Sequence, residues 1–366
     1  MKEILPAEDF AALPGQLAAA YGAFEGLGQA HVIGPAVIMQ AKLAQANVLF
    51  QLVIDDNGTL QGIGLRPVEE KAFTLAKNEE EVVVGPYQLP GILTMPEGDK
   101  LPAVVLVHGS GPNDRDETAG GSAIFRDLAQ GLSSHGIAVL RYDKRSYQMD
   151  RGLFILPAEE YEKMTMTQDT IEDAVAAVNL LKADPRIDPD RVFVIGHSQG
   201  AILAGRIQEE ANASGLVLLA GTMRPLWQVV LEQLEAVDYE ALGLDQEIIA
   251  GEIALARAIP NMTEAETYGL TSTTIAPYLL WEAAQHDLKA VYDACDAPML
   301  ILQGTEDKNV FPDRDYPLWE AFAKDHPEKD IELHLYEGLD HHFTRGDEVV
   351  FSGEALADII AWILVR

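Results

Sequence analysis

Cysteine is almost absent from this 366-residue sequence. The single residue, Cys295, excludes an intrachain disulfide and says nothing about compartment. No apolar stretch approaches the roughly 20 residues that span a bilayer as a helix, so the chain reads as soluble, with no membrane insertion. The N-terminus, Met-Lys-Glu-Ile-Leu-Pro-Ala-Glu-Asp, lacks the basic start and apolar core of a signal peptide, which points to the cytoplasm for the chain as it stands. Basic residues are scarce, 26 Lys and Arg against 58 Asp and Glu. The formal net charge of −32 makes nucleic acid and anionic membranes poor partners. No Cys/His cluster has zinc-ligand spacing, and the adjacent His341 and His342 would point to opposite faces of an extended segment.

What the chain does have is apolar content, 48%, enough for one large domain and a smaller one. Its most informative stretch is Arg191-Val192-Phe193-Val194-Ile195-Gly196-His197-Ser198-Gln199-Gly200-Ala201. A short Val/Ile-rich run ends at Gly196 as a buried strand would, and residues 199–206 read as a helix of small and apolar residues. Between them, Gly196-His197-Ser198-Gln199-Gly200 matches G-x-S-x-G, the pattern of a nucleophile on a sharp strand-to-helix turn. Such a turn crowds the backbone, so the positions flanking the serine carry almost no side chain. The serine is held strained, with its Oγ above the sheet, and the helix behind it aims N–H groups at developing negative charge. The plainer alternative is a Gly-bounded turn whose serine caps the helix. Partners for a nucleophile, found further along the chain, argue against it.

Upstream, residues 1–70 read as a small α+β unit. A helical stretch over 8–24, interrupted by Pro14-Gly15, precedes alternating segments at 31–38, 47–54 and 60–65, with Asn57-Gly58 as a hairpin signal. His31 reads as an ordinary sheet residue. After a linker over 67–77, the remainder, 71–366, reads as the catalytic domain, opened by a hairpin of 81–84 and 87–95. A buried strand over 101–107 runs into His108-Gly109-Ser110-Gly111-Pro112-Asn113-Asp114-Arg115-Asp116. A glycine-rich loop in this position supplies the second N–H of an oxyanion hole, beside the one after the nucleophile. The candidates are therefore the backbone amides of Ser110 and Gln199, with a plain Gly/Pro turn as the alternative.

Residues 122–134 read as a helix and 137–142 as a strand, with Arg141, Asp143 and Arg145 as a structural ion-pair network. An amphipathic helix follows over 166–182, and a strand over 215–220 comes after the elbow helix. Residues 221–296 break the strand–helix alternation with a helical pattern carrying Trp227, Tyr239, Tyr268, Tyr278, Trp281 and Tyr292. They read as a lid over the active site, or alternatively as extra helices on the side of the sheet. A strand over 299–303 leads into Gly304-Thr305-Glu306-Asp307, where Asp307 suits the acidic member of a triad and Glu306 is its near neighbour. A helix over 317–324 and a last strand over 331–336 lead to Glu337-Gly338-Leu339-Asp340-His341-His342-Phe343, the loop for a general-base histidine. The chain order serine, acid, histidine is that of a strand-borne nucleophile elbow. A helix over 353–365 closes the chain.

Four of these motifs together carry a resemblance: His-Gly-Ser-Gly-Pro-Asn-Asp-Arg-Asp, Arg-Tyr-Asp-Lys-Arg, Gly-His-Ser-Gln-Gly and Gly-x-Asp-His-His-Phe. They resemble the bacterial α/β-hydrolase group related to dienelactone hydrolases and prolyl-oligopeptidase-type peptidases. The resemblance implies the α/β-hydrolase fold, a mostly parallel central sheet flanked by helices, with a helical lid. In that group the histidine loop reads Asn-His-Leu-Phe or similar. Asp340 then stands in place of the Asn, His341 falls on the catalytic position and His342 on the apolar one. Tyr21-Gly22-Ala23-Phe24-Glu25 and Asp56-Asn57-Gly58-Thr59-Leu60-Gln61-Gly62-Ile63 resemble the C-terminal half of a nuclear-transport-factor-like domain that precedes such hydrolases. Its leading helices would lie before Met1, and a leader there would make the protein secreted.

The implied activity is that of a serine carboxylesterase cleaving short-acyl esters through an acyl-enzyme on Ser198. His341 is the base, Asp307 orients it, and the Ser110 and Gln199 amides bind the oxyanion. A small-molecule ester is the expected partner and no cofactor is needed. Peptidase or amidase, thioesterase and acyltransferase chemistry use the same residues. A non-catalytic binding protein on a hydrolase scaffold is the alternative of another class, and an apparently complete triad opposes it. The N-terminal unit would serve substrate specificity or homodimerisation.

Overall fold

The alternating segments near the N-terminus pair as an antiparallel sheet, the arrangement that period-two patterning suits. Its strands are β1 (Phe24–Leu27), β2 (His31–Ile33), β3 (Ala36–Leu43), β4 (Ala46–Ile54) and β5 (Leu60–Val68), in the order β1-β3-β4-β5 with β2 on β3. A small core of Ala41, Leu43 and Val48 packs against Leu17, Tyr21 and Phe50. The preceding helix, Ala7–Tyr21, does not break at Pro14-Gly15. Pro14 is exposed within it, where water can satisfy the carbonyl that loses its intrahelical donor.

The computed structural model describes residues 7–27, 31–33, 36–54, 60–68, 75–151, 163–237, 246–268, 270 and 276–366. The Asn57-Gly58 turn, residues 69–74 of the linker and Tyr239 lie outside them. Contacts divide the chain into two units, Met1–Thr74 with Tyr147–Lys163, and Leu75–Ser146 with Met164–Arg366.

The second unit is built on eight strands: β6 (Glu79–Val84), β7 (Leu89–Thr94), β8 (Leu101–Val107), β11 (Ala138–Tyr142), β12 (Ile187–His197), β13 (Leu216–Leu219), β14 (Met299–Gly304) and β15 (Ile331–Tyr336). The short pair β9 (Thr118–Ala119) and β10 (Ser122–Ala123) stands apart. The order is β15-β14-β13-β12-β8-β11-β7-β6, antiparallel in the β6–β7–β11 part and parallel elsewhere. Successive residues of the central strands face opposite sides, and both sides are covered. Ala103, Val105, Val192 and Val194 share a core with helices Glu172–Ala183 and Gln199–Ala211. Val104, Leu106, Phe193 and Ile195 share another with helices Ile124–Ser133 and Gly353–Leu364. Burial on both faces is why these strands read as continuous apolar runs. The result is a mostly parallel sheet flanked by helices, the fold class the motifs imply.

Two elements differ from the sequence reading. The amphipathic segment at 166–182 begins with a five-residue π turn, Thr167–Ile171, that buries Asp169 and Thr170 before the α-helix takes over. The helix expected at 317–324 starts earlier, at Pro312, with Pro317 inside it. Between β13 and β14 lie helices Leu226–Ala236, Gln246–Ala258, Glu264–Thr267, Pro277–Ala283 and Leu288–Ala294. Among the described residues no helix is long and apolar enough to cross a membrane.

Candidate active site

Parallel strands deliver their following loops to one edge of a sheet, where ligands of such folds gather. The loops bearing the candidate residues follow β8, β12, β14 and β15. β12 ends at His197 and the next helix starts at Gln199, so Ser198 alone makes the turn. Its φ of 52° and ψ of −114° are costly for a residue with a Cβ. Its amide donates to the Leu219 carbonyl of β13 at 2.8 Å, which pins the turn to the neighbouring strand. Contact enforces the flanking glycines. A Cβ on Gly196 would lie 2.4 Å from the Gly200 carbonyl, and one on Gly200 would lie 2.1 Å from the Val107 oxygen.

Gly109 sits against this elbow, where a Cβ would fall 3.3 Å from Ser198 Cβ. Its amide donates to Glu117 Oε1 at 2.6 Å. Among the described residues, neither the Ser110 amide nor the Gln199 amide donates to a protein acceptor.

Asp307 is buried, whereas Glu306 beside it is exposed. Oδ1 of Asp307 accepts from the amides of Asn309 at 2.8 Å and Val310 at 2.9 Å, and Oδ2 accepts from Gln303 Nε2 at 2.9 Å. Both oxygens lie within 3.0 Å of His341 Nδ1. Burial pushes the Asp307 pKa up, but the His341 charge and the surrounding donors outweigh it, so the carboxyl is held below its ordinary range.

Asp340 shapes the histidine loop as an Asx turn. Oδ1 accepts from the amides of His342 at 3.0 Å and Thr344 at 2.9 Å, and Oδ2 accepts from Thr344 Oγ1 at 2.9 Å. The loop presses on the end of β14, where a Cβ on Gly304 would lie 2.2 Å from the Leu339 oxygen. His341 is thereby brought to Asp307. The His342 ring lies 5.7 Å from that of His341, and burial together with the His197 and His341 charges pushes its pKa down. An open cleft of about 400 Å³, bordered by Glu306, Lys308, Asn309, His341 and His342, adjoins these residues.

Sequence reasoning passed over two members of this site, His197 and Glu117. Nε2 of His197 lies 2.9 Å from the His341 carbonyl oxygen and donates to it; Nδ1 lies 3.1 Å from Glu117 Oε1 as an ion pair rather than an aligned hydrogen bond. Burial lowers the His197 pKa, yet Glu117 more than offsets it and the value is raised. Glu117 in turn is held low despite its own burial, chiefly by the His197 charge. One buried pair thus joins the Gly109 loop, the elbow and the histidine loop. The position of His197 inside the elbow motif was the only signal available.

A second set of buried pairs underlies the β8 loop. Arg115 meets Asp143 at 2.9 Å, Arg141 meets Asp116 at 2.9 Å and Glu79 at 3.0 Å, Arg145 meets Asp173 at 2.8 Å, and Lys144 meets Asp169 at 2.9 Å. Burial, with Asp169 and Glu172 nearby, outweighs Arg145 and raises the Asp173 pKa to about 6. Among the described residues no group of three His, Cys, Asp or Glu is disposed to hold a metal ion.

An imidazole whose Nδ1 is fixed to a carboxylate keeps Nε2 available as a base, and the strained Ser198 follows directly on His197, which is bonded to the His341 carbonyl. Residues 99–348 match the family described as serine aminopeptidase, S33. Esterase EstD from Thermotoga maritima is 32% identical over 314 residues, covering 84% of this chain and 71% of EstD. An esterase from Pyrococcus furiosus has a TM-score of 0.51 at 17% identity, covering 78% of this chain and 89% of the other. Est1E from Butyrivibrio proteoclasticus, with ferulic acid bound, has a TM-score of 0.53 at 17% identity, covering 78% of this chain and all, 100%, of Est1E. Since the family match runs through the β8 loop, the elbow, the Asp307 loop and the His341 loop, the chain belongs to the serine aminopeptidase S33 family and has the α/β-hydrolase fold.

Proposed function

We propose that the protein is a serine carboxylesterase acting on short-acyl esters, with Ser198 as nucleophile, His341 as general base and Asp307 as its orienting acid. The observation that carries this reading is the His341–Asp307 contact, made in a loop whose His341 carbonyl is bonded to His197, the residue before Ser198. His341 Nε2 takes the Ser198 proton as Oγ attacks the ester carbonyl. The amides of Ser110 and Gln199 bind the resulting oxyanion, and His341 returns the proton to the departing alcohol. A water, deprotonated by the same nitrogen, then attacks the acyl-enzyme, and the acid leaves with Ser198 restored. Asp307 keeps the proton of the neutral imidazole on Nδ1 and stabilises the imidazolium.

The name of EstD supports an ester substrate, and the family description supports amide cleavage as the second arm of the test. In this reading the helices within 221–296 form the lid that selects the acyl chain. The N-terminal sheet with its helix is a partial nuclear-transport-factor-like domain of a bacterial hydrolase, serving specificity or dimerisation.

The test is hydrolysis of p-nitrophenyl acetate, butyrate and octanoate, with aminoacyl p-nitroanilides alongside. Esters are expected to turn over faster than anilides. Ser198→Ala and His341→Ala should each lose about 10³-fold or more in kcat, and His342→Ala should stay within about tenfold of wild type. A folded wild type that cleaves anilides and no ester would overturn the esterase reading. Activity kept in Ser198→Ala would overturn the nucleophile.

A further inference from the structure

Lys144 takes no part in the mechanism above, yet it is only 2% exposed. Its ammonium donates to the Gly109 carbonyl oxygen at 3.0 Å and lies 2.9 Å from Asp169 Oδ2 on the π turn. That carbonyl belongs to the same peptide group as the Ser110 N–H. In a trans peptide the C=O and N–H point in opposite directions, so a cation seated on the oxygen leaves the N–H directed away from it. Asn113 Nδ2 donates to the same oxygen at 3.1 Å, while Glu117 holds the Gly109 amide at 2.6 Å. The two peptide groups flanking Gly109 are thus each held, the His108–Gly109 peptide by Glu117 and the Gly109–Ser110 peptide by Lys144 and Asn113.

Asn113 already supplies a neutral donor, so orientation alone does not call for an ammonium. Burying a Lys–Asp pair adds little stability over an apolar pair of similar volume. What a full charge adds is polarisation: hydrogen bonds in series strengthen one another, and a cation on a carbonyl makes the N–H of that peptide a stronger donor. Burial pushes the Asp169 pKa up, but Lys144, with hydrogen bonds from Ser146 and Thr170, holds the carboxyl below its ordinary range, so the pair is ionic.

We propose that Lys144 is a positioning residue of the oxyanion hole: its ammonium, seated by Asp169, orients and polarises the Gly109–Ser110 peptide so that the Ser110 N–H binds the transition-state oxyanion more tightly than the ester. The proposal rests on the reading of the Ser110 amide as an oxyanion donor. The ester carbonyl gains charge only on the way to the tetrahedral state, so the effect belongs to kcat and not to KM.

The test compares wild type, Lys144→Met/Asp169→Asn (which leaves no unpaired buried charge) and Lys144→Arg. The readouts are kcat and KM for p-nitrophenyl butyrate, the inhibition constant of a trifluoromethyl ketone carrying the same acyl chain, and the thermal midpoint. The double variant should lose about tenfold in kcat, part of the roughly hundredfold that removing a whole donor costs. Its KM should stay within about twofold, and the ketone should bind weaker by the same factor as kcat/KM falls. Lys144→Arg, which keeps the charge, should retain most of the activity.

A merely structural role would move the thermal midpoint without that parallel. A kcat within about twofold of wild type, or a loss of kcat with unchanged ketone affinity, would overturn the proposal. If the double variant does not fold, Lys144→Gln, with a neutral donor, must show the same parallel loss or the proposal fails. Ser110→Pro, which deletes the N–H, separates the two layers. If it keeps full activity, the oxyanion reading falls and takes the proposal with it. If it loses about a hundredfold while the Lys144 variants do not, the Lys144 proposal alone falls.

Discussion

Replacing Asp307 by Asn exchanges one oxygen for an NH₂ at nearly constant shape, in a pocket that offers only donors. Those donors are the Asn309 and Val310 amides, Gln303 Nε2 and the Nδ1 of His341. The asparagine oxygen can serve the two backbone amides, which leaves its NH₂ facing Gln303 and His341. Gln303 Nε2 then loses the shortest of its acceptors and keeps the Gly304 and Val310 carbonyls, each at 3.3 Å. Losing a hydrogen bond to a charged acceptor costs about 1.5–3 kcal/mol, and the thermal midpoint should fall by several degrees.

The larger effect is on the base. To accept from the new NH₂, His341 must move its proton from Nδ1 to Nε2, the nitrogen that takes the Ser198 proton in the proposed mechanism. A wrong-tautomer triad of this kind loses on the order of 10⁴ in kcat. Initial rates on p-nitrophenyl butyrate at neutral pH measure it, with circular dichroism to establish folding. A folded Asp307→Asn enzyme within about tenfold of wild type would refute the argument.

The depressed Asp307 pKa adds a signature in stability. Its contribution is present above the ordinary value of 3.8 and is lost as pH falls through the lower folded value. The stability gap between wild type and variant should therefore close in strong acid.

Three further outcomes are expected. Ser198→Gly removes the Cβ that makes φ 52° costly, so the variant should be inactive yet melt higher, by about 1 kcal/mol of stability; a lower melting point would count against stored strain. Gly200→Ala places a methyl 2.1 Å from the Val107 oxygen and should destabilise by about 3 kcal/mol or more, read by urea unfolding, with native-like stability contradicting it. Glu117→Gln should open a pH-dependent stability gap. The raised His197 pKa contributes fully below its ordinary 6.5 and fades as pH rises through the folded value, while the depressed Glu117 pKa contributes above 4.5 and fades in acid. The gap should then be widest between those two values; the other charged and titratable groups facing the pair, Lys144, Asp307, His108 and His341, are the same in both proteins. A gap constant across the pH range would reject the pair.

What could be read from the sequence was what steric exclusion writes into it. Gly196 and Gly200 are glycines because backbone occupies the space a Cβ would need, and the central strands are unbroken apolar runs because both faces are covered. Pairings across long separations left no such trace. Nothing in Asp143-Lys144-Arg145 says that the middle residue reaches Asp169 and Gly109, because a π turn 25 residues later sets that geometry and has no compositional mark. Neighbouring histidines at 341 and 342 likewise could not be told apart by residue chemistry. The Asx turn at Asp340 that separates their directions is a three-dimensional fact. Pro14 shows the opposite error, in which a strong local breaker was overruled on an exposed helix face.

β13 and β14 lie side by side and run parallel, Leu216 opposite Met299 through Leu219 opposite Leu302. The chain joining them needs only to return along one strand length, for which about a dozen residues suffice. The last helix of that excursion, Leu288–Ala294, already makes the return, docked by the Tyr292 hydroxyl on the Ala201 carbonyl and by its ring on Trp319. Everything from Leu226 to Ala283 is therefore surplus to the connectivity of the sheet, a detour that leaves and rejoins a fixed frame. Lengthening or trimming such a detour changes closure entropy only logarithmically. If these helices form the lid proposed above, this stretch is where descendants of the scaffold can exchange one substrate for another wholesale, while the crowded glycines beneath Ser198 allow almost no revision.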